Sequence, residues 1–176
     1  LCTTDPLTHL QNVRSFQDIL NHEFRIANRY NNSLSILMMD VDHFKVINDT
    51  HGHPSGDYVL KELAVILKQC VRESDVVART GGDEFSILLL KADQQKAAQF
   101  ADRIREEVYG RMFNVYGQDI HATISIGLAT YPCDADITDA EMLVYMGDQA
   151  LLRAKEVGRD RVAAVHEMSA ETRLRL

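Results

Sequence analysis

The strongest chemical signal in the chain is the stretch Arg79-Thr80-Gly81-Gly82-Asp83-Glu84-Phe85. Apolar runs flank the two glycines, and this pattern predicts a tight β-hairpin. Glycine tolerates positive φ and has no Cβ, so the backbone of Gly81 and Gly82 could approach a ligand closely. The adjacent carboxylates of Asp83 and Glu84 repel each other unless something positive binds beside them. The hairpin is therefore expected to accept a metal-bound phosphate.

A second carboxylate pair, Asp40 and Asp42, ends an apolar run of strand length, residues 34–39. Carboxylate oxygens are the usual ligands of magnesium, which shares its shell with substrate phosphates. Carboxylates on two neighbouring strands are the minimal apparatus of metal-assisted phosphoryl transfer. Taken separately, Asp40 and Asp42 could cap a loop, and Asp83 and Glu84 could form an exposed hairpin tip. Together they favour the metal site.

Lys45, Lys155 and Arg159 supply the opposite charge. Lys155 and Arg159 are four residues apart, which predicts that both face one side at a helix end and could clamp a triphosphate. A solvated helix terminus with favourable dipole interactions is the alternative. Asn48 and Asp57 flank a glycine-containing loop, where an amide and a carboxylate could read the donor groups of guanine or simply cap the loop.

Histidines and cysteines give weaker signals. His43, His51 and His53 suggest zinc, but no further Cys or His stands at ligand spacing and the neighbouring carboxylates favour magnesium. The three cysteines lack CxxC spacing, so neither a disulfide framework nor a zinc knuckle is expected and a reducing, cytoplasmic setting is predicted.

Hydrophobic periodicity predicts the order helix, strand, helix, hairpin, helix, strand, helix, strand. This order is typical of an α/β (α+β) fold with a mixed central β-sheet flanked by helices. A loop through Gly52 and Gly56 is expected before a helix marked by apolar residues from Val59, and Thr138 or Asp139 is expected to cap the last helix. The predicted strands after the hairpin run from Ala122 to Leu128 and from Val162 to Val165. Residues 1–166 are predicted to form one domain and residues 167–176 a C-terminal tail.

Composition narrows the class of protein. The 176 residues, 45% of them hydrophobic, fit one globular domain. A net charge of −7 argues against nucleic-acid binding, which depends on Lys and Arg neutralising phosphates. No apolar run approaches the roughly 18 residues that span a bilayer, so no membrane contact by this segment is expected. The chain begins almost at its first motif, which predicts that it is one domain of a longer protein. A membrane-anchored protein with this domain in the cytoplasm fits that prediction.

Several spaced motifs in a fixed order resemble the GGDEF family of diguanylate cyclases. The matching segments lie between about residues 5 and 165 and are Asp5–Thr8, Asp40–Lys45, Ile47–Asp49, Gly52–His53, Gly56–Asp57, Gly81–Phe85 and Ala154–Arg159. Departures from the family pattern occur at His9, Val13, Thr80, Gly147, Leu152 and Asp160. None of these positions is an expected metal or phosphate ligand.

The resemblance implies a palm-like nucleotidyl cyclase fold and conversion of two GTP molecules into cyclic di-GMP and pyrophosphate. Each domain would bind one GTP, so a homodimer is needed for catalysis, and magnesium or manganese is the expected cofactor. The implied roles are metal binding by Asp40, the Val41 carbonyl, Asp83 and Glu84; proton abstraction by Asp83; charge stabilisation by Lys45; GTP binding by Asn48, His53, Asp57, Gly81, Gly82, Lys155 and Arg159. A receptor that binds GTP or cyclic di-GMP without turnover is the alternative, although such receptors usually lose an acidic residue of the signature.

The resemblance also implies regulation. Arg72 and Asp75 stand where the family binds its product as an inhibitor, with Arg103, or else Arg105, as a secondary arginine. A plain i,i+3 helix pair is the structural alternative. An upstream sensory domain outside this chain is expected to control the activity.

Overall fold

A five-stranded mixed sheet forms the centre of the protein, in the order β2-β3-β1-β6-β7. The computed structural model describes residues 2–134 and 137–168. The strands are β1 Leu34–Val41, β2 Val76–Arg79, β3 Glu84–Leu90, β4 Met112–Val115, β5 Gln118–His121, β6 Ile124–Tyr131 and β7 Val162–Ala164. All neighbours in the sheet are antiparallel except β6 and β7, which are parallel. The predicted mixed sheet is confirmed.

Helices cover both faces of the sheet. They are α1 Val13–Tyr30, α2 Phe44–His51, α3 His53–Cys70, α4 Gln94–Tyr109 and α5 Ala140–Glu156. One core cluster joins α1 and α5 to the face that carries Ile36 and Met38, and the other joins α3 and α4 to the face that carries Leu37 and Met39. Every residue of β1 is buried, because this central strand is covered on both faces, as its apolar run predicts.

Side-chain caps explain where the longer helices begin. Asn12 accepts a hydrogen bond from the Ser15 amide at the start of α1, and Asp93 accepts one from Lys96 at the start of α4. The Asp139 carboxylate accepts from the Met142 amide at 2.7 Å. Asp139, not Thr138, is therefore the cap of α5, since such a bond satisfies an amide that has no partner within the helix.

The predicted loop between β1 and the next helix is wrong. Residues 44–51 form α2, and α3 begins at His53 rather than near Val59. Gly52 has φ of 90° and separates the two helices. The short α2 has Ile47 as its one buried residue and packs on α3, so tertiary contact stabilises a helix too short to show clear periodicity.

A small hairpin, β4–β5, was not predicted. Tyr116 and Gly117 form its turn with φ of 50° and 81°, the two positive values of a type I′ hairpin turn. Tyrosine is not a turn signal, so the sequence gives little warning of this hairpin. The other boundaries also differ: β6 begins at Ile124 and continues to Tyr131, and β7 ends at Ala164 before a 3₁₀ turn, Val165–Glu167.

The predicted tail, residues 167–176, lies outside the described residues except for Glu167 and Met168. Within the described ranges, no helix combines the length and the apolarity that crossing a membrane requires.

Candidate active site

The structure brings the two carboxylate pairs together at one end of the central strands. Asp40 lies inside β1, one residue before its end, and is paired directly with Glu84 across the β1–β3 ladder. Directly paired residues project from the same face of a sheet. The Val41 amide donates to the Asp83 carbonyl at 3.2 Å, so the hairpin turn is joined to the end of β1. Asp40 and Glu84 line a cavity of about 400 Å³.

Asp40 has one oxygen that the surrounding protein leaves unsatisfied. Its Oδ2 accepts a hydrogen bond from the Lys155 ammonium, whereas its buried Oδ1 has no hydrogen-bond partner among the described residues. Burial is the main cause that raises the pKa of Asp40; Lys155 opposes it, and Asp83 and Asp42 add to it. Burial followed by Asp40, Asp148 and Asp83 raises the pKa of Glu84. The site therefore holds more negative charge than its surroundings stabilise.

The carboxylate oxygens of this site fit a hard divalent cation that binds together with a phosphate-containing substrate. The described residues contain no ready-made group of three or more His, Cys, Asp or Glu side chains placed to hold a metal. Magnesium, however, is usually bound through one or two carboxylates together with phosphate oxygens and water. An unpaired carboxylate oxygen beside further carboxylates matches that requirement.

The hairpin turn, residues 80–83, is fastened by an arginine. Arg79 donates through Nε and Nη2 to the Gly82 carbonyl at 3.0 and 2.7 Å. Its Nη1 contacts Asp5 at 3.3 Å, and Asp5 in turn accepts from the Thr8 amide. The opening segment of the chain thereby holds the turn, a role that the sequence analysis did not assign.

The prediction that Gly81 and Gly82 are needed for positive φ is wrong. Neither Gly81 nor Gly82 has positive φ, so conformational freedom is not what glycine provides here. A Cβ on Gly81 would overlap the Glu84 carboxylate, whereas a Cβ on Gly82 would meet nothing within 4 Å. Glycine at position 81 makes room for the Glu84 side chain beside the turn.

Lys155 and Arg159 do not share a helix face. Lys155 lies in the last turn of α5, which ends at Glu156. Arg159 lies beyond the helix in a turn, with φ of 63°. The predicted helical spacing is therefore wrong as a reason for pairing them, although Lys155 contacts Asp40 directly.

The residues predicted to read guanine lie where α2 packs against α3. Asn48 is half-buried on α2, Asp57 is exposed in the early part of α3, and the Asn48 Oδ1 is buried without a hydrogen-bond partner among the described residues. A Cβ on Gly56 would overlap that oxygen and press on Phe44. Gly56 therefore lets the Asn48 amide lie against α3.

Three other predicted residues lie on the same two helices or beside them. Lys45 is exposed in the first turn of α2, and His53 is exposed at the start of α3. His51 is hydrogen-bonded through Nδ1 to the Gln118 side chain at 2.8 Å. His51 thus contacts the β4–β5 hairpin.

A second cavity, of about 380 Å³, is lined by Arg72, Asp75, Lys91, Lys96, Phe100 and Arg103, among others. Arg72 and Asp75 form a bidentate pair, with Nε donating to Oδ2 at 3.1 Å and Nη2 to Oδ1 at 3.0 Å. The side chain of Asp75 is 1% exposed and that of Arg72 is 60% exposed, so Asp75 orients an arginine that remains accessible. The pair follows α3 and lies outside any helix, which rules out the helix-pair alternative.

The two candidate secondary arginines have different surroundings. Arg103 lines the second cavity and lies 5.1 Å from the centroid of the Phe100 ring. Arg105 pairs instead with Asp160 at 3.2 Å. Four cationic side chains, Arg72, Lys91, Lys96 and Arg103, thus line one cavity and make it suitable for a phosphate-containing ligand.

Asp148 belongs to the first cavity but was not among the predicted residues. It lies on α5, seven residues before Lys155, and both line the cavity with Asp40. Burial and Asp40 raise the pKa of Asp148, and Lys155 opposes them. The spacing of Asp148 and Lys155 along one helix face was the available signal.

The chain is similar to proteins of one family along most of its length. The family model described as "Diguanylate cyclase, GGDEF domain" matches residues 2–161. Diguanylate cyclase A of Treponema denticola is 41% identical over 92% of this chain and 44% of its own. Diguanylate cyclase DosC of Escherichia coli is 42% identical over 90% of this chain and 34% of its own. The chain thus spans less than half the length of these relatives.

Solved structures show the same likeness. The GGDEF domain of DgcB from Caulobacter crescentus, in complex with c-di-GMP, superposes with a TM-score of 0.89 at 30% identity. The superposition covers 95% of this chain and 98% of that domain. The sequence match and the shared fold together show that the chain belongs to the GGDEF domain family of diguanylate cyclases.

Proposed function

We propose that this domain condenses two molecules of GTP into cyclic di-GMP and pyrophosphate. The observation that carries the proposal is the cross-strand pair Asp40–Glu84 and the adjoining Asp83 turn, with an Asp40 Oδ1 that has no hydrogen-bond partner in the described part of the chain. Such a cluster is unfavourable by itself and favourable around a metal-bound triphosphate. The family membership of the chain supports the same reaction.

Asp40, the Val41 carbonyl, Asp83 and Glu84 would hold magnesium or manganese. The bound ion would offset the triphosphate charge and polarise the α-phosphate. Asp83 is the candidate base for the 3′-hydroxyl, and Lys45 would stabilise charge on the reacting phosphate. Lys155 would exchange its pairing with Asp40 for a terminal phosphate.

Other residues would position the nucleotide. Asn48 offers a buried, unpaired acceptor to the guanine N–H groups, and Asp57 offers a second acceptor from α3. The backbone of Gly81 and Gly82 would approach the phosphates, Arg159 would bind their terminal end, and His53 would lie near the nucleotide. Positioning and electrostatic stabilisation would supply most of the rate enhancement.

The reaction needs two domains, because each would bring one GTP whose 3′-oxygen attacks the α-phosphate of the other. We therefore expect the rate per protein molecule to rise with protein concentration when the domain is incubated with GTP and Mg²⁺. Chromatography of the nucleotide products over a hundredfold range of protein concentration measures this.

A domain fused to a parallel dimeric coiled coil provides the control, since it keeps two copies together at every concentration. The fusion should form cyclic di-GMP at a rate per molecule that does not depend on dilution. Absence of product from the fusion would contradict the proposal and favour the receptor that binds GTP or cyclic di-GMP without turnover.

We further propose that the second cavity binds cyclic di-GMP and inhibits synthesis. Arg72 would contact guanine and phosphate, Asp75 would hold the Arg72 side chain in place, and Arg103 would add a second cation. The relative from Caulobacter crescentus was solved in complex with c-di-GMP. The four cations that line the cavity in this chain suit the same kind of ligand.

Replacing Arg72 by alanine should weaken cyclic di-GMP binding by about thirtyfold. This factor corresponds to about 2 kcal/mol, the usual contribution of one hydrogen bond to a charged group. Asp75 is less suitable for substitution, because its carboxylate also accepts from the Leu90 amide. Isothermal titration measures the change. Arg153→Ala is the control, since Arg153 is 47% exposed in a 3.8 Å pair on α5. Equal affinity in both variants would contradict the inhibitory site.

The chain spans under half of its relatives' length, and we propose that an upstream sensory domain controls the cyclase. A cytoplasmic location of this domain is part of the same proposal, because its GTP substrate is an intracellular nucleotide.

A further inference from the structure

Asp42 is a buried carboxylate near the proposed metal ligands that the mechanism above leaves without a role. It is 5% exposed and lies two residues after Asp40, directly beyond the end of β1. Its Oδ1 accepts from Ser125 Oγ at 2.6 Å, and its Oδ2 accepts from Thr123 Oγ1 at 2.7 Å and from the Asp160 amide at 3.0 Å. Both oxygens are engaged, in contrast to the unpaired oxygen of Asp40.

The Asp160 amide belongs to a turn with unusual backbone geometry. Gly158, Arg159 and Asp160 have φ of 125°, 63° and 44°. Side chains disfavour this left-handed region, so non-glycine residues remain there only when the surrounding structure holds them. Asp42 is one of the groups that hold the turn.

Other contacts anchor the turn to α5 and α4. The Arg159 amide donates to the Ala154 carbonyl at 2.9 Å, which fastens the turn to the end of α5. The Asp160 carboxylate pairs with Arg105 on α4 at 3.2 Å. Only the Asp42 contact ties the turn to the segment that continues β1, among the hydrogen bonds of the described residues.

We propose that Asp42 is a positioning residue that sets the place of Arg159 relative to Asp40. The inference rests on the proposed function of Arg159 as a ligand of the terminal phosphates. Asp40 and Arg159 are far apart in the chain, and the Asp42 carboxylate connects the backbone segments that carry them. Loss of the hydrogen bond between the Asp160 amide and Asp42 would let the turn at residues 158–160 leave its strained conformation. Arg159 would then lose its position, while the metal ligands would keep theirs.

The test measures the affinity for α,β-methylene-GTP in the presence of Mg²⁺, since this analogue cannot release pyrophosphate. We expect Asp42→Ala to weaken binding about tenfold, the size of one lost charge-assisted hydrogen bond. Arg159→Ala should weaken it similarly. The double variant should be no weaker than Arg159→Ala, because both changes remove the same interaction.

Asp42→Asn tests whether the hydrogen bond or the charge matters. Its amide oxygen can still accept from the Asp160 amide, so we expect an affinity between those of the wild type and Asp42→Ala. The same cycle with Arg159→Ala can be run on Asp42→Asn if the alanine variant does not fold. A folded Asp42→Asn variant that binds as weakly as Asp42→Ala would overturn the positioning role.

Ser35→Ala is the control for general loss of stability. Ser35 is fully buried on β1 and bonds Thr130 on β6 at 2.8 Å, a cross-strand polar contact at the opposite end of the strand from Asp42. It should lower the melting temperature without changing nucleotide affinity. Weakened binding in Ser35→Ala, equal to that in Asp42→Ala, would overturn the proposal.

The remaining outcomes separate the two levels of inference. If Arg159→Ala leaves the affinity unchanged, the proposed phosphate contact of Arg159 is wrong and the positioning role is overturned with it. If Arg159→Ala weakens binding but Asp42→Ala does not, or if their effects add, the phosphate contact stands and the role of Asp42 is overturned.

Discussion

Replacing Asp83 by alanine should reduce the rate of cyclic di-GMP formation at least about 1000-fold, because a metal ligand and the candidate base are lost together. A factor of 1000 corresponds to about 4 kcal/mol of transition-state stabilisation, which is a usual contribution of such charge interactions. Chromatography of the products from GTP and Mg²⁺ measures the rate.

The fold should survive this change. The hydrogen bond that joins Asp83 to β1 runs from the Val41 amide to the Asp83 carbonyl, and alanine keeps that carbonyl. The melting temperature should therefore stay close to that of the wild type. Asp18→Ala removes a carboxylate from the exposed side of α1 and should leave the rate unchanged. Undiminished turnover in a folded Asp83→Ala variant would show that the metal assignment is wrong.

Replacing Asp40 by asparagine should also abolish turnover, but it should make the metal-free protein more stable. The pKa of Asp40 is raised mainly by burial, with Lys155 opposing, so the folded state disfavours the charged form. Asparagine keeps the shape without the charge. We expect the melting temperature at pH 7 to rise by about 2–4 °C, the change that about 1 kcal/mol causes in a domain of this size.

The gain in stability should depend on pH in a defined direction. The pKa of Asp40 is higher in the folded state than in the unfolded state, so the unfolded protein releases this proton first as the pH rises. Stability of the wild type should therefore fall through the interval above the ordinary carboxyl pKa of about 3.9, whereas the variant lacks this loss. Urea denaturation from pH 4 to pH 7 should show the two proteins diverging.

Magnesium provides an independent readout of the same variant. A ligand that binds only the folded state raises stability, so Mg²⁺ with GTP should raise the melting temperature of the wild type and have a smaller effect on Asp40→Asn. Asp18→Asn serves as the control for the change of charge, because Asp18 is an exposed carboxylate on α1. An Asp40→Asn variant less stable than the wild type at pH 7 would contradict the interpretation of Asp40 as a destabilised metal ligand.

Much of the fold follows from patterns within short segments. The long helices repeat apolar residues at a helical period, and β1 is a continuous apolar run. Their burial in the two core clusters confirms both predictions. The short α2 and the β4–β5 hairpin were missed, because contact with α3 and an unusual Tyr-Gly turn stabilise them. Each element is only four to eight residues long, which is too short for apolar periodicity to distinguish it from a loop.

The sequence by itself determined the chemical character of the domain: the carboxylate-bearing hairpin, the carboxylates that follow the apolar run of the central strand, the order of the longer elements and the family resemblance. Only the tertiary structure decided how these residues act on one another. It paired Asp40 with Glu84 and Lys155, left the Asp40 Oδ1 without a hydrogen bond to any described residue, and moved Arg159 off the helix into a turn held by Asp42. The physical reason is that residue type sets which bonds a side chain can form, whereas strand register, burial and backbone strain set which of them it forms.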